Sequence, residues 1–313
     1  MNTMEVQAPG LLTTVQDLGR QGFGPVGVSP SGAADPISLR LGNLLVGNRE
    51  GAAALEMMLL GGTFIFPHGA IVALTGSDFG AMLDDGKLGI GTSVRVRPDQ
   101  TLHVGPTTSG ARCYLCVRGG ITVKPFLGSA STHILSGLGG FQGRPLRKGD
   151  VLRIGRAAKH FRKRTVAQRA TENFSHRKIL RVTPGPQASW FSESSLRAFY
   201  AGRYRIGEQS NRMGLRLEGA AVSQSGAREM ITEGVSLGAV QVPAGGSPII
   251  LFVEQQTTGG YPIIANVISA DLHRIGQLRP RDEIRFEQVT FDAARSLLVE
   301  QEKLLASREL ILE

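Results

Sequence analysis

Short runs rich in Val, Ile, Leu and Thr, each closed by glycine or proline, set the strongest limit on what this chain can fold into. "TFIFP" (63–67), "AIVALTG" (70–76), "SVRVRP" (93–98), "TLHVG" (101–105), "CYLCVRGG" (113–120) and "VLRIG" (151–155) have the length and β-branched content of strands. The same texture resumes in "ILRVTPGP" (179–186), "RYRIG", "LRLEG", "AVQVPAGG", "PIILFVE" and "EIRFE". With 41 glycines and 15 prolines in 313 residues, turns come too often for long helices to dominate. The reading is a mostly β chain with few short helices. Helical periodicity is clear only at 36–46, 189–200 and 291–308, the last with an apolar stripe of Leu297, Leu298, Leu304 and Leu305.

Charge divides the chain. The net charge is +9, yet the stretch from Arg153 to Arg181 alone holds ten Lys or Arg and one acid, Glu172, which leaves 25 basic and 25 acidic residues elsewhere. Such a run reads as a solvated linker or surface loop, or as a contact for an acidic partner or phosphate. With only Phe161 and Phe174 among its charges, it lacks the stacking residues that single-stranded nucleic acid needs. The expected organisation is an N-terminal β domain (1–155), a basic segment (156–178) and a C-terminal β domain ending in a helix (179–313). No apolar run reaches the length of a membrane span, and "MNTMEVQAPGLLTTVQD" lacks the pattern of a secretory signal, so a cytoplasmic, membrane-free protein is expected.

The halves read as diverged copies. "PLRKGDVLRI" (145–154) parallels "QLRPRDEIRF" (277–286), "GGTFIFPHGAIVAL" (61–74) parallels "LGAVQVPAGGSPIIL" (237–251), and the turn 19–22 parallels 211–214. Cys113 and Cys116 form a C-x-x-C, but it lies in a strand-like run with no second such pair and no histidine pair at ligand spacing. Reduced, partly buried thiols and no metal site are expected. The G-x-G-x-x-G at 22–27 holds Pro25 and precedes "VSPSGAAD", so no dinucleotide-binding helix is expected, and no phosphate-binding loop with Gly-Lys-Ser/Thr is present.

Two polar clusters remain. The first, "TVQDLGRQGFGPVGVSPSGAAD" (14–35), holds Gln16, Asp17, Arg20, Ser29, Ser31 and Asp35, a site or a scaffold in which Asp17 and Arg20 merely pair. The second gathers Arg212, Arg216, Glu233, Gln241, Gln256, Thr257, Gly259, Gly260 and Tyr261. Arginines suit a carboxylate or phosphate, and the Gly259-Gly260 turn can aim backbone N–H groups at developing negative charge, beside the Tyr261 hydroxyl. A plain two-glycine hairpin with Tyr261 packed on its flank is the structural alternative.

Many ordered stretches, among them "NLLVGN", "AALE", "LTGSDF", "YLCVRGGI", "LGSASTHILSGLGGFQGRPLRKGD", "PGPQ", "NRMGLRLEG", "EGVSLGAVQVPAGGSPIIL", "QTTGGYP" and "ADLHRIGQLRPRD", resemble the biotin-dependent carboxyltransferase-like family. That family includes the C subunit of 5-oxoprolinase, allophanate hydrolase subunit 2 and the carboxyltransferase domain of urea carboxylase. The resemblance implies two cyclophilin-like β-barrel domains with a site in their cleft. It also implies a role like that of the 5-oxoprolinase C subunit, acting with 5-oxoprolinase subunits A and B on a small cyclic amide or carboxylate at the expense of ATP carried by the complex. Asp17, Glu233 and Tyr261 are then the candidate catalytic groups. Arg20, Ser31, Asp35, Arg212, Arg216, Gln241, Gln256, Thr257, Gly259 and Gly260 are the candidate substrate-binding groups. A biotin-dependent carboxyltransferase, or a regulatory partner of a kinase-inhibitor-like B subunit, are the alternatives. Biotin itself is not expected, because Gln255 and Ile263 stand where basic residues are typical of the family, and His133 replaces other polar residues.

Overall fold

The computed structural model describes residues 2–157, 160–175, 177–226, 228 and 230–313, without the side chains of Thr171 and Arg308. They form two compact units, neither contiguous in sequence: Met1–Arg20, Ser31–Ser175 and Ser307–Glu313 make the first, and Gln21–Pro30 and His176–Ala306 the second. Strand outweighs α-helix in both. Among the described residues, no helix is long and apolar enough to cross a membrane.

In the first unit, a seven-stranded sheet runs in the order Ile121–Thr122, Val151–Ile154, Thr3–Ala8, Thr63–Ile65, Thr101–His103, Met82–Leu83 and Gly86–Lys87. A five-stranded sheet runs Leu12–Gln16, Ala54–Met58, Arg112–Val117, Ala70–Gly76 and Ser93–Val96. Side chains from both sheets, including Met4, Val6, Leu55, Phe64, Val72 and Leu115, share one core. The helix Pro36–Leu45 lies on the other face of the five-stranded sheet, where Leu39 and Leu45 pack with Ala73, Tyr114 and Cys116. Asp35 starts this helix: its Oδ1 accepts from the Ser38 N–H at 3.0 Å, and Pro36 takes the first position, where no N–H is needed.

The two cysteines illustrate the period of a strand. Three residues apart, they point to opposite faces, so Cys113 enters the inter-sheet core and Cys116 the helix-side core. Both are free thiols and fully buried, and burial raises both thiol pKa values above the ordinary range. A C-x-x-C on a strand therefore cannot close on itself.

The second unit is a closed barrel in the order Ile179–Pro184, Ile263–Val267, Ala239–Gln241, Ile249–Leu251, Gly214–Glu218, Tyr204–Ile206 and Glu283–Gln288. Closure leaves no unpaired barrel edge. The helix Glu193–Ala201 is fixed to the barrel wall by Phe199, which stacks on Phe286 at 4.6 Å between ring centroids and lies 5.9 Å from Tyr204. The expected C-terminal helix spans Phe291–Ala306, with Leu305 buried and Leu297, Leu298 and Leu304 partly covered. The glycine-rich 22–27 stretch makes only a 3-10 turn, Gly24–Val26.

The sequence repeat has a local structural counterpart. In the first unit Arg147 N–H donates to Asp150 Oδ2 at 2.7 Å, Val6 N–H to Asp150 O at 2.9 Å, and Gly149 N–H to Val6 O at 2.8 Å. In the second, Arg279 N–H donates to Asp282 Oδ2 at 2.9 Å, Ile206 N–H to Asp282 O at 2.9 Å, and Arg281 N–H to Ile206 O at 2.8 Å. Gly149 (φ 88°) and Arg281 (φ 71°) occupy the same left-handed position just before the aspartate. Each turn then feeds a strand of alternating exposed and buried residues, Val151–Ile154 and Glu283–Gln288.

Charge counts conceal order within the basic segment. Thr165–Val166 pairs with Ile311–Leu312, and Gln168–Asn173 is a short helix. Arg164 and Arg169 form ion pairs of 2.8 and 2.7 Å with Glu313 and Glu309. Residues through Ser175 belong to the first compact unit, as does the C-terminal strand.

Candidate functional site

In the first unit, Asp17, Arg20, Ser31 and Asp35 are each hydrogen-bonded to the protein itself. Asp17 Oδ1 accepts from Gly19 N–H (2.8 Å), Ser129 Oγ (2.6 Å) and Ser131 Oγ (2.5 Å), and Oδ2 accepts from Ala130 N–H (2.6 Å). Its carboxylate thus pins the loop 128–131 to the end of the strand Leu12–Gln16. Arg20 grips the same loop. It is buried, donates through Nη2 to Ser131 O (2.5 Å) and sits 5.4 Å from the Phe126 ring centroid. Ser31 donates through Oγ to Thr132 O (2.8 Å), an oxygen that also accepts from Gln16 Nε2 (3.2 Å). Asp35 caps its helix and is fully buried.

Beneath these residues lies a buried polar group that sequence reasoning missed. Glu56 Oε2 accepts from Tyr114 Oη (2.7 Å) and Ala34 N–H (2.8 Å), Oε1 faces Arg112 Nε at 3.3 Å, and Tyr114 Oη accepts from Asp35 N–H (2.8 Å). Burial, then the charges of Glu56 and Asp35, hold the Tyr114 pKa well above that of a free phenol, so Tyr114 remains a donor. Glu56 ends the "AALE" stretch, but its partners are 22 to 58 residues away, and no local pattern announces them.

In the second unit, most of the second cluster comes together. Glu233–Gly234 pairs with Thr258–Gly259 as a two-stranded ribbon in which Glu233 stands opposite Gly259. Gln256 Nε2 donates to Gln241 Oε1, and Gln241 Nε2 to Tyr261 O, both at 3.4 Å. A Cβ on Gly259 would stand 2.5 Å from Gln241 Nε2, so glycine is what lets this buried amide approach the ribbon. Val235 N–H donates to Thr257 O at 3.1 Å, Gly260 follows the ribbon, and Tyr261 is half exposed beyond it. Glu233 is exposed, and its Oε1 accepts from Gln187 Nε2 (2.8 Å). Gln187, which sequence reasoning did not single out, also accepts from Ile263 N–H through Oε1 (3.1 Å), tying the carboxylate to the barrel. Its signal is "PGPQ", a stretch that carries the family resemblance without suggesting a role for its glutamine.

The arginines of this cluster part ways. Arg212 is buried and its Nε donates to buried Glu254, while Glu254 N–H returns a bond to Arg212 O at 2.8 Å. That pair fixes the entry to 255–262 and places the Arg212 charge on a protein carboxylate. Arg216 is exposed on the strand Gly214–Glu218 and lines a cavity of about 580 Å³ with Arg205, Glu208, Glu218 and Arg281, away from the ribbon residues. Gln255 is buried, donating through Nε2 to Val235 O (3.1 Å), and Ile263 packs in a small core with Ala239 and Leu251. His133 N–H and Leu138 O pair at 2.8 Å in a surface turn of the first unit. Among the described residues no group of three or more His, Cys, Asp or Glu is placed to hold a metal ion.

What the ribbon offers is one exposed carboxylate held by an amide, a glycine pair, a phenol and the exposed Gln256 amide, backed by the buried amide of Gln241: a neutral hydrogen-bonding patch with a single acid or base. The family model described as "Carboxyltransferase domain, subdomain A and B" matches residues 26–288. Over 300 residues the chain is 38% identical to the C subunit of 5-oxoprolinase from Escherichia coli K12, covering 96% of each. Over 284 residues it is 36% identical to the C subunit of 5-oxoprolinase from Haemophilus influenzae, covering 91% of this chain and 90% of that one. Among solved structures, the Kluyveromyces lactis urea carboxylase is similar with a TM-score of 0.92 at 33% identity, covering 99% of this chain and 30% of that one.

Proposed function

The chain belongs to the carboxyltransferase domain A and B family, and from this we propose that it is the C subunit of a multi-subunit 5-oxoprolinase, which opens 5-oxoproline to glutamate with ATP. The observation that carries the reading is the 38% identity to a protein of that name along 96% of both chains. The A and B subunits complete the enzyme, and ATP enters through the complex. A lactam carbonyl is a poor electrophile, so the γ-phosphoryl group is transferred to its oxygen, releasing ADP. Water then adds to the carbon and gives up a proton, the ring C–N bond breaks with protonation of nitrogen to leave an acyl phosphate, and a second water cleaves that to the carboxylate and free phosphate.

In this reading Glu233 takes the proton from water and returns one to the ring nitrogen, held in place by Gln187. Gly259, Gly260 and Tyr261 supply donors to the oxygen where charge develops, and the exposed Gln256, held by buried Gln241, recognises the amide or carboxylate of the substrate. Asp17, Arg20, Ser31 and Asp35 keep the first unit's loops in place, and Arg212 with Glu254 does the same for 255–262. The test is glutamate release from 5-oxoproline by the chain mixed with its partners. Omitting the chain should abolish it, and Glu233→Gln should lower turnover by about 100-fold while partner binding persists. Undiminished release without the chain would refute the reading.

A second reading, carboxyl transfer to an amide from biotin, is favoured by the structural similarity to urea carboxylase. It fits less well, since Gln255 and Ile263, both buried and uncharged, supply no cation for a carboxylated ring. Carboxyl transfer from free carboxybiotin to urea by this chain would support it.

A further inference from the structure

On the first unit a cavity of about 690 Å³ is lined by His68, Arg95, Arg97, Arg118 and Arg156, with Ile71 and Ile154 among its apolar members and no carboxylate in its lining. That volume is in the range of small-molecule sites. The four guanidiniums come from three separate places in the fold. Arg95 lies on Ser93–Val96, the edge strand of the five-stranded sheet, and Arg97 follows just past its end. Arg118 follows the strand Arg112–Val117, and Arg156 follows Val151–Ile154 in the other sheet.

Arg118 is held rigidly. Its Nη1 donates to Val46 O (2.8 Å), its Nη2 to His160 O (2.6 Å), and its guanidinium lies 5.1 Å from the Phe161 ring centroid. Burial, and after it the nearby Arg164, lower its pKa. Arg95 and Arg156 are exposed, and neither forms a salt bridge among the described residues. The cavity on the second unit is a useful contrast. There Arg205 pairs with Glu218 at 2.8 Å and Arg281 with Glu208 at 2.5 Å, so two of its three arginines are answered by the protein's own acids.

We infer that the first unit's cavity is a binding site for a compact organic polyphosphate, gripped by Arg95, Arg97, Arg118 and Arg156, with its organic portion against Ile71 and Ile154. Guanidiniums suit phosphate because their planar fork donates two parallel hydrogen bonds to adjacent oxygens. Converging arginines around a concave void fit a compact, multiply charged group better than an extended one. The site is independent of the ring-opening reading, since its test reads binding and not turnover.

The full-length chain is titrated calorimetrically with inorganic tripolyphosphate and with ATP, at low and at physiological salt. Saturable one-to-one binding is expected, weaker at higher salt. The Arg95→Gln/Arg156→Gln variant, changed only at exposed positions, should bind about tenfold or more weakly. Arg205→Gln/Arg216→Gln on the second unit should leave affinity unchanged. Lack of saturable binding, or an equal loss in the second variant, would overturn the inference. So would tighter binding of a hexaglutamate peptide than of tripolyphosphate, which would make the cavity a dock for an acidic polypeptide.

Discussion

Gly259 and Gly260 are neighbours with different obligations. Neither requires a left-handed backbone, so space alone decides what each tolerates. A methyl group on Gly259 would meet Gln241 Nε2 at 2.5 Å, and the amide would have to turn away, breaking its contacts with Gln256 and Tyr261. On Gly260 it would meet only Thr232 Oγ1 at 3.5 Å, an ordinary contact. Gly259→Ala is therefore expected to lower turnover of the reconstituted enzyme by tenfold or more while costing only about 1 kcal/mol of stability. Gly260→Ala should change both little. Assays of the two variants side by side, with denaturant midpoints, check the claim; equal effects would mean that the Gln241 amide does not govern the ribbon. The glycines, Gln241 and Gln256 were legible from their crowding in sequence. The fate of Arg212 was not, because its carboxylate, Glu254, stands at the end of what reads as a plain buried strand, "SPIILFVE".

At the scale of elements, the paired turns before Val151–Ile154 and Glu283–Gln288 make an internal experiment. Position 149 is glycine and position 281 arginine, both left-handed. Nothing lies within 4 Å of a Cβ built on Gly149, so Gly149→Ala isolates the backbone penalty and should cost about 1 kcal/mol. Arg281→Gly should release a similar strain and lose only an exposed ion pair with Glu208, for a net gain of about 0.5 kcal/mol. Urea denaturation of the variants reads both signs. The aspartate of the first turn, Asp150, adds a pH dependence. The two-pronged hydrogen bond from Arg144, followed by the Arg147 N–H, holds the Asp150 carboxyl below its ordinary value of 3.8, against a smaller opposing effect of burial. A depressed folded pKa stabilises the fold above the unfolded value, and the contribution fades as pH falls through the folded one. Asp150→Asn should thus flatten the loss of stability below about pH 4 and cost about 1–2 kcal/mol at neutral pH. Such elements were readable where residue type alone sets them. Ala70–Gly76 begins and ends with the run that announced it, Pro36–Leu45 and Phe291–Ala306 fall within the stretches named from periodicity, and Glu193–Ala201 overruns its stretch by one residue. Thr165–Val166 was hidden, since two β-branched residues among arginines become a strand only when Ile311–Leu312, far along the chain, arrives to pair.

For the whole molecule the question is whether two compact units behave as one. The chain passes between them four times, at 20/21, 30/31, 175/176 and 306/307. Each unit carries its own reporter. Cys113 and Cys116 are buried in different cores of the first, and Trp190, the sole tryptophan, belongs to the second. A thiol reagent reaches either cysteine only when the five-stranded sheet opens, because no local fraying exposes both faces of its central strand. Loss of the second unit would free the helix Phe291–Ala306 and, through it, the strand Ile311–Leu312 that holds Thr165–Val166 and the Arg164–Glu313 ion pair in the first. Loss of the first would free both ends of the segment 21–30 that belongs to the second. Each failure therefore removes part of the other unit, and unfolding should be cooperative across the chain. In a urea titration, thiol labelling and tryptophan fluorescence should share one midpoint, with both cysteines reacting together. Separate midpoints, or early labelling of Cys116 alone, would instead show the units holding their folds independently despite their interleaved sequence.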